Sequence, residues 1–190
     1  ENSIFNMGNR FHFKTQSKTI KKHLLFKTGE QISSTILIES ERNLRNQVYF
    51  ADAKIEIDSI SSYSVVAHVT VFDQWSTLPI VGLKRIGKQW ISRFGIRENN
   101  FLGTGQVISF ANYQDITTKG TTLGYYNSSF TNNRLQLMFQ FADNSEGYHF
   151  SSSIRKPLIS KYDKNSFQIR YMVSKTSDWY YYDGNLLNSS

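Results

Sequence analysis

The chain has 190 residues, no cysteine, two prolines and a net charge of +7, and 15% of its residues are aromatic. This length allows one large or two small domains, while the aromatic content and the scarcity of proline favour β structure over disorder. Because cysteine is absent, a disulfide framework, a thiolate metal site and a cysteine nucleophile are excluded. No run of 18 apolar residues occurs, which excludes a transmembrane helix but not the strands of a barrel.

The positive charge is unevenly distributed along the chain. Residues 1–76 contain nine Lys or Arg against eight Asp or Glu, whereas residues 77–190 contain thirteen against seven. The basic excess suits contact with anionic lipid headgroups, lipopolysaccharide or an acidic client. The basic excess is better explained by side chains that face solvent or a barrel lumen, because the basic residues form no helical stripe. No nucleic-acid motif accompanies them, so no nucleic-acid partner is expected.

The first elements in chain order are a strand and a helix. A short strand is predicted at residues 10–14, with alternate aromatic side chains on one face. Thr15 or Ser17 can then cap a helix, and Gly29 ends this unit.

A second helix is predicted after a cap at Ser33 or Ser34, with Asn46 as its stop. Glu41 precedes Arg45 by four residues, which is the favoured order for a helical ion pair.

Two strand patterns follow the helices. In the first, residues 51–58, apolar side chains alternate with the charged side chains of Asp52, Lys54, Glu56 and Asp58. In the second, residues 65–71, apolar side chains share one face. The resulting order is β-α-α-β-β, in which two helices cover one face of a three-stranded sheet and leave the charged face in water.

After Thr77 the pattern predicts an antiparallel, all-β meander of hairpins. Its strand candidates are residues 78–86, 89–94, 106–113, 121–126, 134–141, 148–154 and 166–173. An aromatic run at residues 179–182 suits an interfacial girdle at a strand end, or equally a strand of a soluble sheet.

Residues 134–141 show the alternation most clearly. One face carries the apolar side chains of Leu135, Leu137, Phe139 and Phe141, and the other carries Gln136, Met138 and Gln140. Strands of this kind, repeated along a chain, suit a transmembrane β-barrel with lipid outside and a wet lumen inside. In such a barrel the four apolar side chains at positions 135, 137, 139 and 141 are expected to face lipid. A soluble β-rich binding or structural protein with ordinary one-sided burial is the alternative.

Several segments resemble a known family. Residues 20–30, 39–45 and 49–53 look like a polypeptide-transport-associated (POTRA) domain. Two further segments look like the passage from the last such domain into the barrel of a BamA/TamA-type outer-membrane protein. The residues of this family-like motif are Asp73, Trp75, Glu98, Asn99, Asn100, Phe101, Leu102, Gly103 and Gly105.

The resemblance implies a protein of the bacterial outer membrane that assists insertion or translocation of polypeptides. It implies a periplasmic POTRA domain at residues 1–76 and the first strands of the barrel at residues 77–190. The implied partners are outer-membrane lipid or lipopolysaccharide, unfolded outer-membrane clients and accessory envelope subunits. Clients would add a strand to the edge of residues 51–58, with residues 65–71 in the middle of the sheet. The client-binding set would then be Asp52, Lys54, Glu56 and Asp58, and the amides of Lys54 and Glu56 are expected at the unpaired edge.

The chain departs from the family in length and in its ending. Residues 77–190 provide room for about eight spanning strands, roughly half of the family's barrels. Residues 186–190 look like a loop, and one POTRA unit is predicted. We therefore expect either a portion of a longer polypeptide or a shortened relative.

The sequence gives little support for an enzymatic function. The four histidines, at positions 12, 23, 68 and 149, lack metal-ligand spacing, and Gly103-Thr104-Gly105 lacks the lysine of a phosphate loop. Asp73 and Glu98 are expected to cap or hydrogen-bond turns. No metal, cofactor or catalytic residue is predicted.

Overall fold

The computed structural model describes residues 13–61, 64–131, 133–161, 163–182 and 185–189. Its helices are α1 (Ser17–His23) and α2 (Ser34–Arg45), and a 3₁₀ turn lies at Phe101–Gly103. Its strands are β1 (Phe50–Ser61), β2 (Ser64–Asp73), β3 (Thr77–Ile86), β4 (Gln89–Glu98), β5 (Gln106–Gln114), β6 (Lys119–Asn127), β7 (Gln136–Asn144), β8 (Gly147–Lys156), β9 (Phe167–Thr176), β10 (Asp178–Tyr182) and β11 (Asn185–Ser189). Among these residues no helix is long and apolar enough to cross a membrane.

The second helix matches its sequence signals. The Ser33 side chain accepts a hydrogen bond from the Ile36 amide, and Asn46 is the C-cap. Arg45 and Glu41 form the predicted ion pair, with an N–O distance of 2.6 Å. Local cap and charge chemistry is therefore sufficient to predict α2.

The segment before α1 differs from the prediction. Phe13 and Lys14 are not in a strand, and the rest of the predicted strand at residues 10–14 lies outside the described residues. The N-cap of α1 is Gln16, whose side chain makes no capping bond. Thr15 cannot act as the cap because its hydroxyl donates to the Asp73 carboxylate instead.

Two helices cover one face of the β1–β2 hairpin. Leu44, Tyr49, Phe50 and Ala53 form the buried core, and half-buried side chains of α1, β1 and β2 pack against it. The predicted alternation of β1 is shifted at its start, because a register irregularity between Phe50 and Asp52 turns Ala51 outward. Within the described residues this sheet has two strands rather than the predicted three.

Strands β3 to β9 form one antiparallel meander in sequential order. Short turns join the strands at one end, for example between Ile86 and Gln89. Longer loops at residues 99–105, 128–135 and 157–166 join them at the other end. We call this second end the helix-side end, because α1 and α2 contact these loops.

The strand register separates two faces of the seven-stranded sheet. One face, here called the apolar face, carries Val81, Leu83, Phe94, Ile96, Ile108, Phe110, Leu123, Tyr125, Leu137, Phe139, Phe141, Phe150, Ile154, Ile169, Tyr171 and Val173. The opposite face, here called the polar face, is mostly small or polar and carries Arg93, Gly95, Arg97, Ser109, Ala111, Thr122, Gly124, Gln140, Ala142, Ser151, Ser153 and Arg170.

Two predictions about strand ends are wrong. Strand β7 begins at Gln136 rather than at residue 134, because Arg134 has a positive φ of 60° and the Leu135 carbonyl closes the preceding loop by accepting from Phe130. The segment predicted as a terminal loop is strand β11, which pairs with β10 from Asp178↔Ser189 to Tyr182↔Asn185. Pairing with a neighbouring strand overrides its weak local preference.

Candidate functional site

The family-like motif forms a turn at the helix-side end of the sheet. Glu98 ends β4, the 3₁₀ turn follows, and Gly105 precedes β5. Two backbone amides of this turn bond nearby: Asn99 donates to the Ser76 carbonyl at 2.9 Å, and Gly103 donates to the Asn100 carbonyl at 2.8 Å. Leu102 has a positive φ of 53°, and its side chain is exposed. The turn therefore presents its backbone, rather than an apolar surface, to the rest of the chain.

Asn100 is the centre of this turn. Its side chain is 1% exposed, and its Oδ1 accepts from the Gly105 amide at 2.8 Å. Its Nδ2 donates to Thr15 Oγ1 at 2.8 Å and to the Phe13 carbonyl. One amide group thus closes the turn and holds the segment that leads into α1.

The two glycines of the motif allow the helical layer to approach. A Cβ at Gly103 would lie 2.3 Å from the Lys14 carbonyl, and a Cβ at Gly105 would lie 2.6 Å from the Tyr49 hydroxyl. Both have φ near +70°, where side chains are strained. The Gly103 carbonyl accepts from the Gln16 amide and from the Thr19 hydroxyl.

Asp73 and Glu98 accept hydrogen bonds within this junction. Asp73 accepts from the Thr15 amide at 3.2 Å, and Glu98 accepts from the Asn100 amide at 2.7 Å and from the Thr77 hydroxyl. Trp75 is half-exposed, and its indole N–H donates to the Thr77 carbonyl. Phe101 is exposed beside Leu102. Asp73 is therefore bonded to the segment before α1 and Glu98 to the turn and to the start of β3, and within the described residues neither carboxylate forms an ion pair.

Behind the turn lies a buried pair formed by His23 and Tyr49. The Tyr49 hydroxyl is 2.8 Å from His23 Nε2, and Asn43 Nδ2 donates to the His23 carbonyl at 2.6 Å. Burial, assisted by the charge of Lys22, lowers the pKa of His23 to about 4. Burial also raises the pKa of Tyr49. His23 is therefore neutral at pH 7, and its Nε2 shares a hydrogen bond with the Tyr49 hydroxyl whose direction depends on the tautomer of the ring.

Two further loops attach the helices to the sheet. In the loop after β6, the Ser129 carbonyl accepts from Lys22 Nζ at 3.3 Å and the Ser128 hydroxyl donates to Gln47 at 2.9 Å. In the loop after β8, the Ser160 hydroxyl donates to Glu39. Three successive loops of one end of the sheet thus contact the helical layer.

Most of the residues that form these hydrogen bonds were not predicted from the sequence as part of a site. Thr15, Gln16, Thr19 and Ser128 are bonded to residues about 60 to 85 positions away, and no local pattern signals such pairs. Tyr49 lies in a family-like segment, but only its burial and its contact with Gly105 reveal its position.

The charged side chains of β1 pair with each other and with charged or titratable side chains of α2 and β2. Asp52 binds Arg45 at 2.8 Å, Lys54 binds Glu56 at 2.5 Å, and Asp58 lies 3.1 Å from His68. All four side chains predicted as a client-binding set are exposed.

The backbone of β1 corrects one assumption about its edge. The Ile55 amide donates to Glu41 at 2.8 Å and the Ala53 amide to Asp52, so these odd-numbered amides point away from β2. The amides of Lys54 and Glu56 must then point into the β1–β2 ladder. Ile57 carries the next amide that points away from β2, and it follows the amide that Glu41 of α2 occupies.

Three of the four residues predicted to face lipid share the apolar face. Leu137, Phe139 and Phe141 pair with Asn127, Tyr125 and Leu123 on β6. Leu135 does not belong to this face, because it lies in the loop before β7.

In the part of the chain that the structure describes, no group of three or more His, Asp or Glu is placed to hold a metal ion. The described residues provide three features: a hydrogen-bonded junction between the helices and the sheet, the apolar face of the sheet, and the edge of β1.

Comparisons with known proteins support the fold. No protein-family model matches the chain, and no curated protein matches it. Among solved structures, the crystal structure of BamA from Haemophilus ducreyi lacking POTRA domains 1–3 aligns with a TM-score of 0.63 over 83% of this chain, at 15% identity. The chain is similar in fold to BamA. It spans 32% of the length of that BamA chain, so the likeness covers about a third of it.

Proposed function

We propose that the chain is part of a BamA-type outer-membrane protein that assists insertion or translocation of polypeptides at the bacterial outer membrane. In this proposal residues 77–190 contribute strands to the barrel wall, and residues 1–76 form a POTRA-like domain on the periplasmic side. Its partners are outer-membrane lipid, unfolded outer-membrane clients and accessory envelope subunits. No catalytic step is assigned to it.

The single observation that carries the proposal is the inverted exposure of the seven-stranded sheet. On the apolar face, Val81 is 70% exposed and Ile169 is 68% exposed. On the polar face, Ala111 is 1% exposed and Ser151 is 4% exposed. A soluble sheet buries its apolar face and exposes its polar face, so this pattern is the reverse of the soluble one. Lipid outside and a polar lumen inside explain it.

The strand lengths agree with a bilayer. Strand β3 has 10 residues and is therefore roughly 33 Å long. At a tilt of about 45° it spans roughly 23 Å, close to the apolar band of about 25 Å around an outer-membrane barrel.

Aromatic side chains lie near both ends of β3. The Arg85 guanidinium lies 5.8 Å from the ring centre of Trp90 at the end with short turns. Trp75 precedes β3 at the helix-side end, and both tryptophans are about half exposed. Tryptophan and arginine at these levels suit the two membrane–water interfaces.

The open edge of β1 is the proposed client site. Strand addition needs unpaired N–H and C=O groups, and among the described residues the hydrogen bond from β1 to α2 at Ile55 has no counterpart at residues 57–59. We therefore place the incoming strand against residues 57–59 rather than along the whole charged face.

Detergent dependence tests the proposal. We expect the purified chain to aggregate in plain buffer and to be folded and monodisperse in detergent micelles, because the apolar face requires an apolar solvent. Circular dichroism and size-exclusion chromatography measure both states. A folded, monodisperse monomer in plain buffer would contradict the proposal and support a soluble β-rich binding or structural protein.

A further inference from the structure

A cluster of lysines surrounds α1. Residues 13–29 contain five lysines, at positions 14, 18, 21, 22 and 27, and no Asp or Glu. None of the five forms an ion pair with a carboxylate within the described parts of the chain. The first half of the chain as a whole is nearly neutral, so this segment concentrates positive charge without compensation.

Four of these lysines line a groove that also has apolar walls. The groove has a volume of about 420 Å³ and is lined by Lys18, Lys21, Lys22, Leu24, Phe26 and Lys27. Leu24 packs against the core of the helical layer, and Phe26 is half-buried. A site with lysines and apolar side chains together suits a ligand that is both anionic and apolar.

The groove lies at the helix-side end of the sheet. Lys22 Nζ contacts the carbonyl of Ser129, which is two residues beyond the end of β6 at Asn127. Ser128 and Ser129 form a turn, so the Ser129 carbonyl lies at most roughly 7 Å beyond the strand end, the rise of two extended residues. The headgroup layer on each side of the hydrocarbon core is roughly 5 to 8 Å thick. With the sheet in a bilayer, the lysines are therefore at the level of the headgroups.

We propose that this groove binds the phosphate headgroup of an anionic phospholipid in the leaflet at the helix-side end. The lysines neutralise the phosphate, and Leu24 and Phe26 contact the glycerol and the first acyl carbons. This inference rests on the proposed function, because it requires the sheet to lie in a membrane.

The position of the groove favours a lipid over an acidic peptide. Lys22 of the groove bonds the loop after β6, a strand whose Leu123 is exposed on the apolar face, so the adjacent bilayer would bring lipid headgroups to this level. Each lysine near an anionic membrane surface contributes roughly a fivefold gain in affinity. Two lysines together should contribute about 25-fold.

The test measures lipid binding to the full chain in zwitterionic detergent. Native mass spectrometry gives the affinities for short-chain phosphatidylglycerol and phosphatidylcholine. We expect phosphatidylglycerol to bind at least tenfold more tightly than phosphatidylcholine. The double variant Lys18→Gln with Lys21→Gln should bind phosphatidylglycerol about 25-fold more weakly than the unmodified chain does. A matched control, Lys84→Gln with Lys88→Gln, removes two charges at the opposite end of the sheet and should bind as the unmodified chain does.

Each outcome decides a separate question. Equal affinity for the two lipids, or equal losses in the two double variants, would overturn the proposal. Competition by glycerol phosphate at the same affinity would show a site for free phosphate, and tighter binding of an acidic peptide would show a client site. Folding of the same proteins into vesicles is measured in parallel. A chain that folds into vesicles without preferring phosphatidylglycerol contradicts the groove alone, whereas a chain that never inserts and stays folded and monodisperse in plain buffer contradicts the proposed function.

Discussion

At the scale of single residues, the junction between helices and sheet depends on a few buried polar groups. His23 is neutral and buried, and Asn100 closes the turn of the family-like motif. Such groups are costly to leave unpaired, so they make the junction specific.

The lowered pKa of His23 makes stability depend on pH. The unfolded chain binds a proton near pH 6.5 and the folded chain near pH 4, so stability is present above pH 6.5 and is lost as the pH falls towards 4. Between pH 7 and pH 5 we expect His23 to contribute a loss of about 2 kcal/mol. Urea unfolding of the chain in detergent measures it. The variant His23→Gln, which can still accept from Tyr49, should lose less stability over this range, and an identical pH dependence would contradict the assignment.

Replacing Asn100 should weaken the junction. In Asn100→Ala the buried Gly105 amide loses its acceptor, which costs about 1 to 3 kcal/mol. The matched control is Thr104→Ala, because among the described residues the Thr104 hydroxyl bonds within the turn, to the Phe101 carbonyl, and its loss should cost less than about 1 kcal/mol. Unfolding free energies in detergent compare the two. Equal costs would show that Asn100 has no special role.

At the scale of elements, local chemistry predicts some pieces well. Ser33, Asn46 and the Glu41–Arg45 pair lie within one helix, so the sequence is sufficient to place α2. The alternation of apolar and polar residues likewise predicts all seven strands of the meander, though not their ends. Arg134 is an example. Its positive φ belongs to the loop before β7, and the alternation of apolar and polar residues gives no sign of where that loop ends.

Non-local pairing explains the errors. Asn185–Ser189 has weak strand propensity, and only its partner β10 makes it a strand. The direction of each amide in β1 also depends on its register with β2. The candidate site was predictable as a motif, but its partners were not, since Thr15 and Asn100 are far apart in sequence.

The register of β1 gives a test of strand addition. Ile57→Pro removes an amide that points away from β2, so it should reduce crosslinking to an unfolded outer-membrane client while the hairpin still folds. Lys54→Pro removes a ladder amide instead and should destabilise the hairpin. Both variants are crosslinked to the same client after circular dichroism has checked their folding. Unchanged crosslinking by a folded Ile57→Pro protein would show that clients bind elsewhere.

At the scale of the whole molecule, the sheet has two outer edges, on β3 and β9. Within the described residues these strands pair only with β4 and β8. An open edge in hydrocarbon costs several kcal/mol for each unpaired group, so a membrane position requires further strands or another copy to complete the wall.

The direction in which each face points is the central claim, and Arg substitutions at the middle of β7 test it most directly. Phe139 lies on the apolar face and Gln140 on the polar face, next to each other in a strand that runs from Gln136 to Asn144. Folding into phospholipid vesicles is measured for Phe139→Arg and Gln140→Arg. We predict that Phe139→Arg costs about 2 to 4 kcal/mol, because arginine is then near the bilayer midplane, while Gln140→Arg is mild. Leu137→Arg, near the strand end, should cost less than Phe139→Arg. Equal costs at positions 139 and 140 would contradict the account.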